Sequence, residues 1–210
     1  MSSATGGHYF ATDPATPSQP RQVELFLPDV SLRLTTDRGV FASAGVDPGT
    51  KLLLLDAPPP APAETGHLLD LGCGYGAVAL TLARRAPGST VWAIDVNRRA
   101  RELCQANAEA NGITNVRVAE PDAVPPEVRL AGLWSNPPIR IGKPALHELL
   151  ATWLARLDDG ARAWLVVQKH LGADSLARWL DEAGWPATRT AARQGYRILE
   201  TGPSLGSGPA

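Results

Sequence analysis

From His67 onward the chain alternates short apolar runs with amphipathic stretches, and this alternation restricts the fold more than any other feature of the sequence. Strands covered on both faces read as continuous apolar runs, and the helical stretches between them supply the crossovers that parallel pairing requires. His67–Leu71, Thr90–Asp95, Val116–Ala119, Leu130–Ser135 and Arg162–Gln168 are predicted as strands. Ala77–Arg85, Arg98–Asn111, Ala145–Leu157 and Ser175–Ala183 carry apolar residues at helical spacing, and Gly112, Gly160 and Gly184 sit where helices would stop. Ala187–Ala192 and Tyr196–Thr201 are predicted as two further strands joined around Gln194-Gly195. The expected fold is α/β: a doubly wound, mostly parallel seven-stranded sheet with a C-terminal antiparallel hairpin.

Upstream of a proline-rich linker at Ala57–Pro62, the runs Val23–Leu27 and Ser31–Leu34 flank Pro28-Asp29 and predict a small N-terminal β-hairpin. Segments 1–22 and 202–210 are rich in small and polar residues and read as flexible tails, with 23–56 as an accessory segment and 67–201 as the main domain. A chain of 210 residues suits one such domain. Its net charge of -1 confines any contact with a polyanion to a local basic patch. No stretch approaches the roughly 18 apolar residues of a membrane span, and no basic-then-apolar signal opens the chain, so a cytoplasmic location without membrane contact is expected. Cys73 and Cys104 form neither a CxxC pair nor a disulfide framework, and the four histidines do not cluster, so no metal is expected.

The first turn of the alternation is Leu68-Leu69-Asp70-Leu71-Gly72-Cys73-Gly74-Tyr75-Gly76, three glycines between an apolar strand and a helix. There the backbone must turn sharply and let a ligand approach. Gly72, Cys73, Gly74 and Gly76 are therefore expected to form a nucleotide-type cofactor loop, although ordinary tight turns also use glycine. Asp95, followed by Val96, ends the next strand about 25 residues after Asp70, where a carboxylate can accept hydrogen bonds from both ribose hydroxyls. A carboxylate at Asp70 would oppose a pyrophosphate but suits a sulfonium and an amino group, which favours S-adenosyl-L-methionine over a nicotinamide dinucleotide. Asp122 is expected to accept from the adenine amino group, with Ala123 donating a backbone N–H to the ring; a solvated surface aspartate is the alternative reading.

The fourth predicted strand ends in Trp134-Ser135-Asn136-Pro137-Pro138-Ile139-Arg140, and in an open α/β sheet that end faces the same crevice as the glycine loop. The prolines fix φ and remove two backbone donors, so the turn is built to accept hydrogen bonds. An amine conjugated to a ring is a poor nucleophile. If Asn136 Oδ1 and the Pro137 carbonyl each accept one of its N–H groups, the nitrogen is held for in-line attack, with Pro138 stiffening the turn, and positioning supplies the catalysis. A merely structural strand-to-helix turn is the competing reading.

With these segments the sequence resembles the methyltransferase small-domain family, which includes enzymes that methylate guanine N2 in small-subunit ribosomal RNA. The likeness spans roughly His8 to Thr201. It rests on Asp70 to Gly76, on Ser135-Asn136-Pro137-Pro138-Ile139-Arg140-Ile141-Gly142-Lys143, and on Gly39-Val40-Phe41-Ala42-Ser43 leading into Gly49-Thr50. The resemblance implies a Rossmann-like class I methyltransferase fold, S-adenosyl-L-methionine as cofactor, and Phe41 and Thr50 as residues that help cover it. It also implies rRNA or the small ribosomal subunit as substrate. Two departures stand out: many relatives carry a second, degenerate domain for RNA docking, for which a homodimer or assembled ribosomal proteins would have to substitute, and Ile139 occupies a position where an aromatic residue often stacks on the target base.

Arg140 and Lys143 follow the catalytic turn and Lys169 and His170 follow the fifth strand, so these four are expected to ring the crevice as phosphate contacts, with ordinary loop charge as the alternative. Trp92, Trp153, Trp164 and Trp179 fall on strand or helix patterns and read as core. Three other activities compete with base methylation: methylation of a protein glutamine or small-molecule amine, cofactor binding without chemistry, and a nicotinamide dehydrogenase. The last leaves Asn136-Pro137-Pro138 and the terminal hairpin unexplained.

Overall fold

The computed structural model describes residues 16–203. In chain order the elements are β1 (Arg21–Phe26), β2 (Ser31–Thr36), α1 (Pro48–Asp56), β3 (His67–Leu71), α2 (Ala77–Arg85), β4 (Thr90–Ile94), α3 (Arg98–Ala110) and β5 (Val116–Ala119). They continue with β6 (Leu130–Ser135), α4 (Lys143–Leu154), β7 (Leu157–Gln168), α5 (Ala173–Glu182), β8 (Ala187–Arg193) and β9 (Tyr196–Thr201). The main sheet has the order β5-β4-β3-β6-β7-β9-β8 and is parallel except for β9, which runs against both its neighbours. The chain leaves β3 toward β4 and β5, then returns to add β6 on the other side of β3. That reversal opens a crevice at the carboxyl ends of β3 and β6.

Side-chain alternation along β3 splits the core into two layers. Leu68 joins the layer of α1, α2, α3 and the N-terminal hairpin, whereas Leu69 and Leu71 join the layer of α4 and α5. Trp153 is fully buried, and Trp134 stacks on Trp164 across β6 and β7 with ring centroids 4.6 Å apart. Ser135 Oγ donates to the Leu71 carbonyl at 2.6 Å, which ties the end of β6 to the end of β3 where the crevice opens. Among the described residues no helix is long and apolar enough to cross a membrane.

The hairpin of β1 and β2 docks on α3 through two asparagines one turn apart. Asn107 accepts from the Thr35 N–H at 2.7 Å and donates to the Thr35 carbonyl at 2.8 Å, and Asn111 makes the equivalent pair with Arg33. The two carboxamides thus satisfy the open edge of β2 as a neighbouring strand would.

Three features depart from the sequence-based expectation. Helix α1 falls within the accessory segment, where Lys51-Leu52-Leu53-Leu54-Leu55 shows no one-sided pattern that would announce a helix; Leu52, Leu53 and Leu54 are all buried. Its start signal was nonetheless present, with Asp47 capping the Thr50 N–H at 2.9 Å and Pro48 in the first turn. β7 begins at Leu157 and runs through Gly160, the expected helix stop, with the extra residues of β7 absorbed where its register against β6 shifts between Leu130 and Gly132. Lastly, Arg21 and Gln22 belong to β1, and Gln19 donates its N–H to Asp37 at 2.5 Å, so the expected flexible segment 1–22 does not extend that far. Residues 1–15 and 204–210 of the expected tails, and His8 at the start of the resemblance, lie outside the described residues.

Candidate active site

The glycine loop leaves β3 through backbone conformations that side chains resist: φ is +79° at Gly72 and +53° at Gly74. The Gly72 and Cys73 N–H groups both donate to the Ile94 carbonyl at 2.9 Å, which moors the loop to β4. Gly76 serves packing as well as conformation, because a Cβ there would lie 2.7 Å from Leu80 Cδ1 and 2.8 Å from Cys104 Sγ. Cys73 is buried beneath the loop and its thiol is pushed up, first by a hydrogen bond with Cys104 and then by burial.

Two carboxylates flank the loop. Asp70 is fully buried, its Oδ2 accepting the Ala79 N–H of α2 at 2.9 Å. Burial pushes its carboxyl up to about 8, against the Ala79 hydrogen bond, and the nearby Asp95 charge adds to the rise. Asp95 accepts from the Gly74 and Asn97 N–H groups, both at 2.9 Å. Burial raises its pKa too, opposed by those donors and by Arg101. Arg101 also donates to the carbonyls of Asp95 and Val96, fixing the end of β4.

A cavity of about 370 Å³ opens over this loop. Gly72, Asp95 and Val96 line it on the β3–β4 side, and Asn136, Pro137, Pro138, Ile139 and Arg140 line it on the β6 side. A smaller adjoining pocket reaches down to Asp70, Cys73, Gly74 and Thr50, sharing Phe41, Gly72 and Asn136 with the larger one. The donor set suits an S-adenosyl-L-methionine molecule laid across both. A buried carboxyl at Asp70 gains most from a cationic partner, and Asp95 retains lone pairs for ribose hydroxyls. Pro121 rather than Asp122 or Ala123 lines the cavity; those two are exposed in the turn after β5. Thr50 sits deeper than a cover would, and the half-exposed Phe41 ring lies over both pockets.

Asn136 is held in a way that the sequence did not reveal. Its Nδ2 donates to Asp47 Oδ1 at 2.8 Å and to Thr50 Oγ1 at 3.0 Å, both at the N-terminus of α1. Because a carboxylate only accepts, this clamp fixes the amide with Oδ1 as its free, accepting end. The Pro137 carbonyl takes the Ile139 N–H at 2.8 Å in a tight turn at Pro138, which leaves one lone pair for a ligand. Of the expected basic rim, Arg140 lines the cavity, whereas Lys143, Lys169 and His170 are exposed and do not. Asp47, Gln168 and Tyr196 also line the cavity and were not foreseen.

The sheet order and the loop with its two carboxylates define a Rossmann-like, S-adenosyl-L-methionine-dependent methyltransferase. The family model for the methyltransferase small domain matches residues 31–200, and the chain belongs to that family. It is 35% identical over 196 residues to the uncharacterized protein YbxB of Bacillus subtilis, covering 92% of this chain and 96% of that one. It is also 32% identical over 194 residues to the ribosomal RNA small subunit methyltransferase C of Ectopseudomonas mendocina, covering 88% of this chain and 56% of that one. Among solved structures, the Thermus thermophilus 16S rRNA N2 G1207 methyltransferase, in complex with AdoMet and guanosine, superposes with a TM-score of 0.76 at 25% identity. The match covers 91% of this chain and 52% of that one, so the chain spans about half the length of its rRNA-methylating relatives.

Proposed function

We propose that this methyltransferase modifies the exocyclic N2 of a guanine in small-subunit ribosomal RNA. The observation that carries the reading is the clamp on Asn136, whose amide oxygen is left as an acceptor beside the cofactor cavity. The similarity to enzymes named for small-subunit rRNA methylation, and to one solved with guanosine, supports guanine as the source of the amine.

S-adenosyl-L-methionine, when bound, supplies an electrophilic methyl group on a sulfonium. Asp70 holds the ammonium end and Gly72, Cys73, Gly74 and Gly76 give it room, while Asp95 and Val96 carry the ribose and Phe41 covers the adenosine. Asn136 Oδ1 and the remaining lone pair of Pro137 accept the two N–H groups of the amine, with Pro138 rigid behind them, so that the nitrogen lone pair faces the methyl carbon. The same hydrogen bonds stabilise the positive charge that develops on nitrogen during attack. Ile139 packs beside the base, and Arg140, Lys143, Lys169 and His170 contact phosphates. A homodimer or assembled ribosomal proteins help to dock the RNA, and a ribosomal substrate implies a cytoplasmic location.

Labelled cofactor incubated with rRNA or with small subunits tests the reading. Methyl incorporation into guanine N2 is expected, and Asn136→Ala should lower it by roughly a thousandfold while cofactor binding persists. Methylation of glutamine peptides with none of rRNA would overturn it.

A further inference from the structure

Gln168 and Tyr196 line the cofactor cavity and have no role in the reading above. Gln168 ends β7 and Tyr196 begins β9, and the two residues are paired across the sheet. Gln168 Nε2 donates to Tyr196 Oη at 2.7 Å. With that lone pair occupied, the tyrosine hydroxyl has its own hydrogen to donate, and Gln168 Oε1 stays free to accept. The pair therefore presents one donor beside one acceptor on a cavity wall.

Helix α1 braces this wall as well as the turn after β6. A Cβ on Gly49 would lie 2.5 Å from Tyr196 Cε1 and 2.7 Å from Cδ1, so the ring rests directly on the Gly49 backbone. Two residues earlier, Asp47 holds Asn136. One helical turn thus sets both the amine acceptor and the donor–acceptor pair.

The Watson–Crick edge of guanine offers the N2 amine, the N1–H donor and the O6 acceptor side by side. We propose that Gln168 and Tyr196 select guanine by reading that edge: Gln168 Oε1 accepts from N1–H and the Tyr196 hydroxyl donates to O6, while Asn136 holds the amine. The inference rests on the guanine N2 reading above and adds specificity to it. Adenine, with an acceptor at N1 and a donor at C6, would leave both protein groups unpaired, and sites built on such hydrogen bonds reject mismatched analogues strongly. This wall also offsets the lack of a stacking ring at Ile139, since discrimination comes from the edge of the base rather than its face.

The test is nucleoside binding to the full chain saturated with S-adenosylhomocysteine, read by ligand-observed NMR. Inosine keeps N1–H and O6 but lacks the amine; 2-aminopurine riboside keeps the amine but lacks N1–H and O6. The wild type should bind guanosine and inosine at least roughly tenfold more tightly than 2-aminopurine riboside. Tyr196→Phe keeps the ring on Gly49 and should weaken guanosine and inosine by about tenfold with no effect on 2-aminopurine riboside. Gln168→Glu should behave alike, because the carboxylate takes the tyrosine hydrogen. Unchanged S-adenosylhomocysteine affinity shows that the variants are folded. Equal binding of guanosine and 2-aminopurine riboside by the wild type, or equal losses for all three nucleosides in Tyr196→Phe, would overturn the inference and leave the guanine reading standing. Absence of guanosine binding alongside methylation of glutamine peptides would sink that reading itself.

Discussion

The two ends of the crevice are built by different means. The cofactor end is built around a local segment: Asp70, Gly72, Cys73, Gly74 and Gly76 are near-neighbours in sequence and the backbone itself makes the shape, with Asp95 joining from the end of β4 and Phe41 from above. The acceptor end is assembled: Asn136 takes its orientation from Asp47 and Thr50, 89 and 86 residues away, and the opposite wall comes from β7 and β9. A local site is fixed as soon as its strand and helix form, whereas an assembled site depends on how α1 docks against the finished sheet. Changes at the first end should therefore act through folding and cofactor affinity, and changes at the second through turnover.

Among changes in stability and cofactor affinity, the largest effect is expected at the local end. Gly76→Ala forces a side chain into a φ of +98° and against Leu80 and Cys104, and strain plus overpacking should cost about 3 kcal/mol of stability. Thermal or denaturant unfolding measures this, and a cost below about 1 kcal/mol would show that the loop is not fixed by its backbone. Asp70→Asn comes next. With its carboxyl near 8, Asp70 is protonated in the free protein at neutral pH and must ionise to hold an ammonium group. Cofactor affinity should then rise by up to roughly tenfold per pH unit between pH 6 and 7.5, level off above 8, and release a proton on binding. The asparagine variant should lose this dependence and bind more weakly by roughly ten- to a hundredfold at pH 8. Calorimetry in buffers of different ionisation enthalpy counts the proton. Folding stability carries the opposite sign: the folded chain keeps a proton that the unfolded chain, with an ordinary value of 3.8, gives up. Stability should fall as pH rises from about 4 to 8, and less so in the asparagine variant.

The same division decides what could be read from the sequence. The strands and crossover helices of the main sheet were legible because each is one apolar run or one periodic stretch, and the glycine loop because its residues are consecutive. Asn136 was legible as a residue for a similar reason, as part of a stiff turn at a strand end. Its restraint was not, because nothing in Gly45-Val46-Asp47-Pro48 announces a partner in another strand. Helix α1 was missed since Leu52, Leu53 and Leu54 are buried on several sides and leave no polar face to mark a helix. Asp122 shows the converse limit, since a carboxylate after a strand in the expected place proves exposed while Pro121 lines the cavity.

At the assembled end, Asp47→Ala removes the acceptor that orients Asn136 but leaves Thr50 Oγ1 in place. Turnover should fall by about tenfold through misplacement of the amide, with cofactor affinity little changed. The lost helix cap should cost about 1 kcal/mol of stability as well. Asp47→Asn keeps an oxygen that can accept from Nδ2 and should restore most of the turnover. If both variants were equally slow, the carboxylate charge and not the orientation of Asn136 would be what matters.

The smallest effect is expected where the two ends meet. Phe41 lies over both pockets but is 45% exposed, so an occupying ligand can bury only part of its ring. Full burial of a phenylalanine side chain is worth about 1.5–3 kcal/mol, and roughly half of that is already realised without ligand. Phe41→Ala should therefore weaken cofactor binding by only about three- to tenfold, with turnover of the bound complex nearly unchanged. Calorimetry and single-turnover rates separate the two quantities. A large loss of turnover would mean that the ring also shapes the acceptor end, and the division between a local cofactor site and an assembled acceptor site would then have to be redrawn at Phe41.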